Sequence, residues 1–396
     1  MTTRSVGLSL MMLSTMAVST LAFFALAVAA SELQAEFGIS KFQLGVLGAV
    51  NTGVGAFLAP ASGAFSDKVG GRHAVATTLA FSAISAVALA LSQNYPLLVA
   101  ASAIGGVAQG LGNPATNKAI SAGVDDARRG VVTGVKQSGV QAAVVLAGLT
   151  VPAMASTLGW RSSMWLTAIL SGLLFFGLGL VPKKAPSSPL ETSESSKRSR
   201  LPTFVTQVAV FGFLLGTVGG GFGRFLPLFA EESVGFSVER AGQVFALQGL
   251  VAVPARLTAG VVLDRGVSAR KMMTTMAVIG AGSLLIVTAS SGGRPSLLWI
   301  GTILAGLTLG TWNTAANLSM IRQKENAGKA TGRLMFGFLL GLTVGGPAVG
   351  WSIDQFGYTP AWLASGALAL IAAAVISPVG RATPTRPEVE PVRSIP

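Results

Sequence analysis

The sequence predicts an all-α membrane protein in which twelve transmembrane helices form two pseudo-symmetric six-helix bundles. Three observations lead to this prediction: a shortage of charge, apolar runs of membrane-spanning length, and an internal repeat. Charged residues make up 11% of the 396-residue chain and hydrophobic residues 51%, whereas soluble domains carry roughly 25% charged residues. That little charge cannot cover the surface of a soluble fold with polar groups.

Long apolar runs follow one another along the chain. A helix of about 20 residues crosses a hydrocarbon core of about 30 Å, and it satisfies its own backbone hydrogen bonds there. The first run is longer than the apolar core of a signal peptide, which has about 7–15 residues, so we expect it to be retained as a helix. The predicted spans are 6–30, 41–64, 74–93, 97–120, 130–158, 161–181, 204–230, 239–263, 272–291, 296–320, 331–353 and 359–379.

Two polar segments divide and end this pattern. Residues 182–203 are rich in proline, serine and charge without periodicity, which predicts a flexible linker between bundles at 1–181 and 204–380. Residues 381–396 have the same character and predict a disordered tail.

The basic residues predict how the chain is oriented. Most of the 28 lysines and arginines fall in loops on the side of the amino terminus, whereas Lys41, Arg161, Arg240 and Arg294 lie on the other side. The positive-inside rule then predicts that both termini and the linker are cytoplasmic. The net charge of +13 reflects this topology, and no nucleic-acid partner is expected.

The composition argues against an enzyme, a metal site or a bound cofactor. The chain has no cysteine and a single histidine, His73. This removes thiolate ligands, cysteine nucleophiles and multi-histidine zinc sites. No arrangement of a nucleophile with a base is apparent in the sequence.

The second half of the chain repeats the first. GAFSDK at 63–68 returns as GVVLDR at 260–265, and QGLGNPATN at 109–117 returns as LGTWNTAAN at 309–317. TG at 133–134 and LGW at 158–160 return as TG at 331–332 and FGY at 356–358. Four matches in one order predict a duplication of six spans.

With these motifs, the chain resembles the major facilitator superfamily. GAFSDKVGGR at 63–72 matches that family's pattern G-x-x-x-D-[RK]-x-G-[GR]-R after the second span, and a weaker copy follows the eighth. The resemblance implies a secondary active transporter of the inner membrane, in which two bundles rock about a midplane site. We expect a monomer with a small-molecule substrate and the lipid bilayer as partners.

The resemblance also implies that the charged loops latch the cytoplasmic side shut in the outward-open state. A glycine there lets two helices approach closely, and an aspartate can accept hydrogen bonds at a helix N-terminus. The alternative is that the basic residues only anchor a loop. The expected gating residues are Gly63, Asp67, Lys68 and Arg72 in the first half, and Asp264, Arg265 and the bracing Arg256 in the second.

Polar side chains inside the spans predict the substrate site. Arg224 is the main candidate, because an arginine keeps its proton and needs an anion or water beside it. Its alternative is to reach outward to Glu231 or Glu232. For the amides the alternative is hydrogen bonding between helices, and for the lysine it is reaching the cytoplasm. The remaining candidates are Gln109, Asn113, Asn117, Asn313, Asn317, Asn51, Gln248, Lys136 and Gln137.

The predicted function is uptake of a small organic anion, with a proton as a further partner. The anion is inferred from Arg224, and no acidic residue lies near the middle of a span. The resemblance alone therefore implies the proton. Two alternatives remain open: an efflux antiporter for hydrophobic compounds, which the apolar first span favours, and a non-transporting sensor, for which no soluble effector domain is found.

Overall fold

The computed structural model describes residues 3–182, 202–321 and 327–377, which are helical almost throughout. Most of the predicted linker and the whole predicted tail lie outside these described residues. The helices are α1 (Thr3–Val28), α2 (Ala30–Phe37), α3 (Lys41–Val69), α4 (Gly71–Ala90), α5 (Tyr95–Gly123), α6 (Asp126–Leu158), α7 (Arg161–Phe176), α8 (Thr203–Glu232), α9 (Val238–Asp264), α10 (Ala269–Ser290), α11 (Ser296–Thr308), α12 (Trp312–Ile321), α13 (Ala327–Phe356) and α14 (Tyr358–Ile376).

The helices confirm the predicted membrane fold, with one difference in the tenth span. Within the described ranges, 11 helices are long and apolar enough to cross a membrane. The remaining predicted span, 296–320, is divided into α11 and α12. At the division the Gly310 amide bonds to the Ala305 carbonyl at 3.0 Å, one residue beyond normal helical spacing. The interruption is short, so the two helices together fill the place of one span.

Polar caps fix where several spans begin. Ser40 and Gln43 form a reciprocal capping box at the start of α3. The Asn94 side chain accepts a hydrogen bond from the Leu97 amide at the start of α5, and Ser237 accepts one from Arg240 in α9. Such caps satisfy amides that the first helical turn leaves free. They place the span ends where the apolar runs begin.

The helix contacts repeat between the two halves, as the duplication predicts. In the first half α1 packs on α6, α3 on α5, and α4 on both α5 and α7. In the second half α8 packs on α13, α9 on α11, and α10 on both α11 and α14. We call α1–α7 the first bundle and α8–α14 the second bundle.

The two bundles meet mainly through α3 against α13 and α6 against α9. We call the end near Pro182 and Pro202 the linker end, and the opposite end, near Lys41, the far end. At the far end Gly45 lies against the backbone of Gly346. Glycines make the same backbone contact on the other side of the interface, where Gly148 of α6 meets Gly242 of α9. A Cβ on any of these four glycines would overlap backbone atoms, so the bundles are sealed together here.

The linker end is open in the same structure. The repeat places glycines there on the same four helices: Gly63 on α3, Gly134 on α6, Gly260 on α9 and Gly332 on α13. A Cβ added at any of these four would meet no atom of the described residues within 4 Å. Helices that touch through glycine at the far end therefore diverge toward the linker end.

A separate cluster braces the far end inside the first bundle. The Glu36 carboxylate accepts a hydrogen bond from Trp160 Nε1 at 2.8 Å and pairs with the Arg161 guanidinium at 2.6 Å. Arg161 also donates to the carbonyls of Ala90 and Ser92 at 3.1 and 2.8 Å. Its guanidinium thereby joins α2, α4 and α7.

We expect Glu36→Gln to destabilise the protein at neutral pH and to have less effect in acid. The Arg161 hydrogen bond lowers the pKa of the Glu36 carboxyl below its ordinary value of 4.5. The stabilisation is therefore complete above that ordinary pKa and is lost as pH falls through the lowered one. Because the pair is partly exposed, the loss should stay below about 1 kcal/mol. Thermal unfolding of both proteins at pH 7 and pH 3.5 checks this, and an equal difference at both pH values would contradict it.

Candidate functional site

Arg224 lies buried in α8, where the two bundles meet near the far end. Its side chain is 3% exposed. The Cζ atom stands 4.6 Å from the ring centroid of Phe23 on α1. On α3 the residue facing it is Gly48, where a Cβ would overlap the guanidinium. An arginine of the second bundle thus lies between two helices of the first.

The guanidinium of Arg224 is not satisfied by the surrounding protein. Within the described residues, neither Nη1 nor Nη2 has a hydrogen-bond partner. A buried charge without a partner is unfavourable, and the paired donors of a guanidinium suit a carboxylate or phosphate. The geometry matches that of an anion-binding group.

The alternative, in which Arg224 reaches an acid at the far end, does not match the described contacts. Glu232 pairs with Lys41 at 3.1 Å and accepts a hydrogen bond from the Tyr358 hydroxyl at 2.9 Å. The buried Oε1 of Glu231 has no hydrogen-bond partner in the described part of the chain. Neither carboxylate is used to neutralise Arg224.

Lys136 brings together three of the predicted site residues. Its side chain is 1% exposed, and Nζ donates to Asn113 Oδ1 at 3.0 Å and to Asn117 Oδ1 at 2.7 Å. The lysine therefore points from α6 to α5, and it does not extend out of the linker end of the bundle. Asn113 and Asn117 are exposed, as is Gln137 beside the lysine. Their predicted role in substrate binding stays a prediction.

The other predicted amides lie where helices cross. Asn51 Nδ2 donates to the Ser102 carbonyl at 3.1 Å, joining α3 to α5, which is the helix-packing alternative. The Oδ1 of Asn51 and the Oε1 of Gln109 are buried without partners in the described residues. In the repeat, the Gln248 carbonyl lies beside Gly306, where α9 crosses α11. Asn317 donates to the Asn313 carbonyl at 2.9 Å within α12.

The charged loop at 63–72 differs from its predicted arrangement in this conformation. Asp67 pairs with Lys118 of α5 at 2.8 Å, a partner that the sequence did not predict, and not with helix amides. Gly63 makes no close helix contact, because the bundles diverge here. Lys68 is exposed and Arg72 is partly buried. A cleft of about 300 Å³ opens beside these groups, lined by Gly63, Asp67, Asn117, Lys118 and their neighbours.

The predicted brace of the second charged loop, Arg256, bonds to another part of the second bundle in this conformation. Arg256 donates through Nε and Nη2 to the Gly310 carbonyl, at 3.1 and 2.9 Å. Arg256 therefore binds the carbonyl that the irregular turn leaves free between α11 and α12. Asp264 and Arg265 are exposed at the end of α9. Their gating role stays a prediction.

Sequence reasoning missed a set of contacts that joins the bundles at the far end. The Asp354 carboxylate of α13 accepts hydrogen bonds from the amides of Lys41 and Phe42, at 3.1 and 2.8 Å. It thus caps the N-terminus of α3 across the interface, where the helix dipole favours an anion. The Lys41–Glu232 pair lies beside it. The sequence did contain a signal for these contacts. Lys41 lies on the side that holds few basic residues, and the acids Glu232 and Asp354 follow spans 7 and 11 on that same side.

Comparisons with known proteins agree with this architecture. The family model described as Major Facilitator Superfamily matches residues 12–323. Three solved transporters share the fold. The D-xylose-proton symporter gives a TM-score of 0.76 at 18% identity, covering 93% of this chain and 96% of its own. The nucleoside transporter NupG gives 0.73 at 15%, covering 94% and 98%.

The third structure is a bacterial homologue of the human lysosomal transporter Spinster, in an inward-facing and occupied conformation. Its TM-score is 0.77 at 15% identity, and the match covers 94% of this chain and 95% of that chain. At such identities the likeness concerns the fold alone. Among curated proteins no significant sequence match is found.

Proposed function

Because the chain belongs to the major facilitator superfamily, we propose that it is a secondary active transporter for a small organic anion, working by alternating access. The observation that carries the anion is the Arg224 guanidinium, which is buried at the bundle interface with both Nη atoms unsatisfied within the described residues. An anionic group on the substrate would supply the missing partner. We further propose uptake coupled to a proton.

The linker end is proposed to be cytoplasmic, because most of the basic residues fall in loops on that side. The bundles then act as two rigid units joined by residues 182–203. Arg224 belongs to the far-end seam, so opening that seam would expose it to the outside first. Lys136 lies nearer the linker end, next to exposed asparagines. An anion that enters from outside would thus meet Arg224 first and Lys136 second.

The glycines support two alternating states. At the far end, Gly45 of α3 meets Gly346 of α13. Gly63 and Gly332 lie on the same two helices at the linker end. No described atom lies within 4 Å of a Cβ added to either glycine. Small residues are favoured where membrane helices approach closely. We infer that Gly63 meets Gly332 when the bundles rock the other way, and that Gly134 likewise meets Gly260.

Screening purified protein by thermal shift tests the substrate class. A ligand that binds only the folded state raises its unfolding temperature. The panel pairs small carboxylates, phosphates and sulfonates with neutral pentoses and nucleosides of similar size. We expect stabilisation by anions alone. Stabilisation confined to neutral solutes would contradict the proposed substrate class and leave alternating access intact.

One observation favours efflux of hydrophobic compounds as a second candidate. Phe23 beside Arg224 packs edge-on to Phe24 at 5.1 Å between centroids, and Phe24 lies 6.1 Å from Phe245. Aromatic side chains of both bundles therefore meet next to the cation. Drug resistance in a host that lacks its own pumps tests this candidate. Resistance conferred by the chain would favour efflux over uptake.

We expect Asp67→Asn to reduce transport while leaving membrane insertion unchanged. The substitution removes the anion paired with Lys118 at the linker end, where closure requires the charged loop to be ordered. Both side chains are partly exposed, so the stability change should stay below about 1 kcal/mol. Asp264→Asn should be milder because its loop is the degraded copy. Comparing transport rates at matched membrane levels checks this, and a wild-type rate for Asp67→Asn would refute the latch.

A further inference from the structure

Within the described residues, the groups found beside the buried Lys136 ammonium bear no charge. Two of its three N–H groups donate to Asn113 and Asn117 of α5. On the side of α1, Gly139 lies one turn from the lysine, against Leu13 and Met16. On the side of α9, Gly249 packs against the Gln141 carbonyl. None of these residues can titrate or carry charge.

The nearest charged pair on α5 is turned away from the lysine. Lys118 follows Asn117 directly, but its ammonium pairs with Asp67 at 2.8 Å. In the described part of the chain no carboxylate pairs with Lys136. A buried ammonium without a counter-charge is costly unless an anion approaches or the proton leaves.

Among the described spans, Lys136 is also a fully buried group that can lose a proton, and it lies on the linker-end side of its span. Arg224 and Arg256 keep theirs. The acidic side chains lie at span ends, with Glu231 and Asp354 at the far end and Asp67 at the linker end. A transporter that couples an anion to a proton must carry that proton through the middle of the bundle.

The geometry also provides a way out for the proton. Asn117, which accepts the shorter of the two hydrogen bonds at 2.7 Å, lines the cleft of about 300 Å³ at the linker end. The ammonium is thus one side chain away from an open cleft. Arg224, at the far-end seam, has no such outlet.

We propose that Lys136 carries the coupling proton, a role that rests on the transport function proposed above. When the far end is open, the lone pair on Nζ of the neutral amine takes a proton from outside water as the anion binds. The ammonium then accompanies the bound anion inward. Its N–H bond then breaks, the electron pair stays on Nζ, and the proton passes to water in the cleft as the anion leaves. A monovalent anion and one proton cross together, so the cycle moves no net charge.

This role predicts how the empty transporter responds to pH. Closing the linker end would remove water from Asn113 and Asn117 and strand the ammonium without a counter-charge. The charged lysine therefore opposes closure when no anion is bound, and the neutral amine permits it. Because the charged lysine opposes closure, the empty protein also cannot carry protons across the membrane.

The test needs no substrate. The chain has no cysteine, so spin labels can be attached at His73→Cys in the first bundle and Val267→Cys in the second. Both positions are exposed at the linker end, and no histidine then remains. The distance between labels is measured in purified full-length protein from pH 6 to pH 10, by pulsed electron paramagnetic resonance on frozen samples.

We expect the closed-distance population to rise with pH when Lys136 is present. Lys136→Arg keeps its charge, so closure should stay rare at every pH. Lys136→Met has similar length but no charge, so closure should be frequent at every pH. Glu231→Gln should keep the wild-type response, because that carboxyl does not hold the proton.

A pH response that survives in Lys136→Met, or that Glu231→Gln abolishes, would overturn the lysine's role. So would a wild-type response in Lys136→Arg. These outcomes leave alternating access standing. A distance that changes with neither pH nor any variant would instead count against alternating access itself.

Discussion

Arg224→Ala should abolish binding of the anionic substrate. The guanidinium is buried with unsatisfied Nη1 and Nη2 within the described residues, so the substrate is its expected partner. Removing one member of a buried charge pair costs about 3–5 kcal/mol, which is about 10²- to 10⁴-fold in affinity. Arg224→Lys should restore part of this, because a single ammonium cannot reproduce two parallel hydrogen bonds. Affinities by thermal shift or equilibrium binding check both values.

A methionine in place of Arg224 should make the ligand-free protein more stable. Replacing buried ionic groups by apolar side chains of similar volume is often neutral or stabilising, by about 1–4 kcal/mol. Arg224→Met should therefore unfold at a higher temperature than the wild type while failing to bind. Arg240→Ala, an exposed arginine of the same bundle, should change neither property. A less stable Arg224→Met that still binds would mean that Arg224 serves packing.

Gly332→Leu should stop transport without harming the conformation described here. A Cβ at Gly332 meets no described atom within 4 Å, so the leucine is tolerated while the linker end is open. In the closed state it would press on α3 near Gly63, as a side chain at Gly346 would press on Gly45. Such overpacking costs about 1–3 kcal/mol, which lowers the closed population about 5- to 150-fold. Transport rates and unfolding temperatures measure the two effects.

The matched control is Gly172→Leu. No described atom lies within 4 Å of a Cβ added to Gly172. Its helix, α7, packs mainly against other helices of the first bundle. The control should transport normally. If both variants transport at the wild-type rate, the linker-end glycines do not form a closing interface.

The sequence was sufficient to predict the spans and the repeat. Helices that cross lipid need long apolar runs, so hydropathy alone located the twelve segments. It could not find the division near Gly310, because LGT at 309–311 continues the apolar run. That division depends on Arg256, which comes from another helix to hold the freed carbonyl.

The candidate site was predictable in its residue types and less so in its contacts. Helical spacing placed Asn113 and Asn117 on one face, but it could not show that Lys136 reaches that face from α6. Asp354 caps α3 across the bundle interface, and in the proposed cycle this contact breaks when the far end opens. Contacts that depend on the conformation in this way cannot be assigned from the sequence alone.

The central claim is that the two ends of the interface close alternately. Paired cysteines test it directly in a chain with no cysteine of its own. Gly63→Cys with Gly332→Cys reports closure of the linker end. Thr52→Cys with Thr343→Cys locks the far end, where the two hydroxyls stand 3.3 Å apart. Both pairs are placed in one protein. The far-end pair is oxidised first, and the linker-end pair is then probed with a short thiol crosslinker.

We predict that the linker-end pair crosslinks in membranes when the far-end pair is not oxidised, although α3 and α13 stand apart at the linker end in this structure. Locking the far end should abolish that crosslink, and replacing Thr52→Cys by the native threonine should restore it. A linker-end crosslink that forms equally well with the far end locked, or that never forms, would contradict alternating access in this protein.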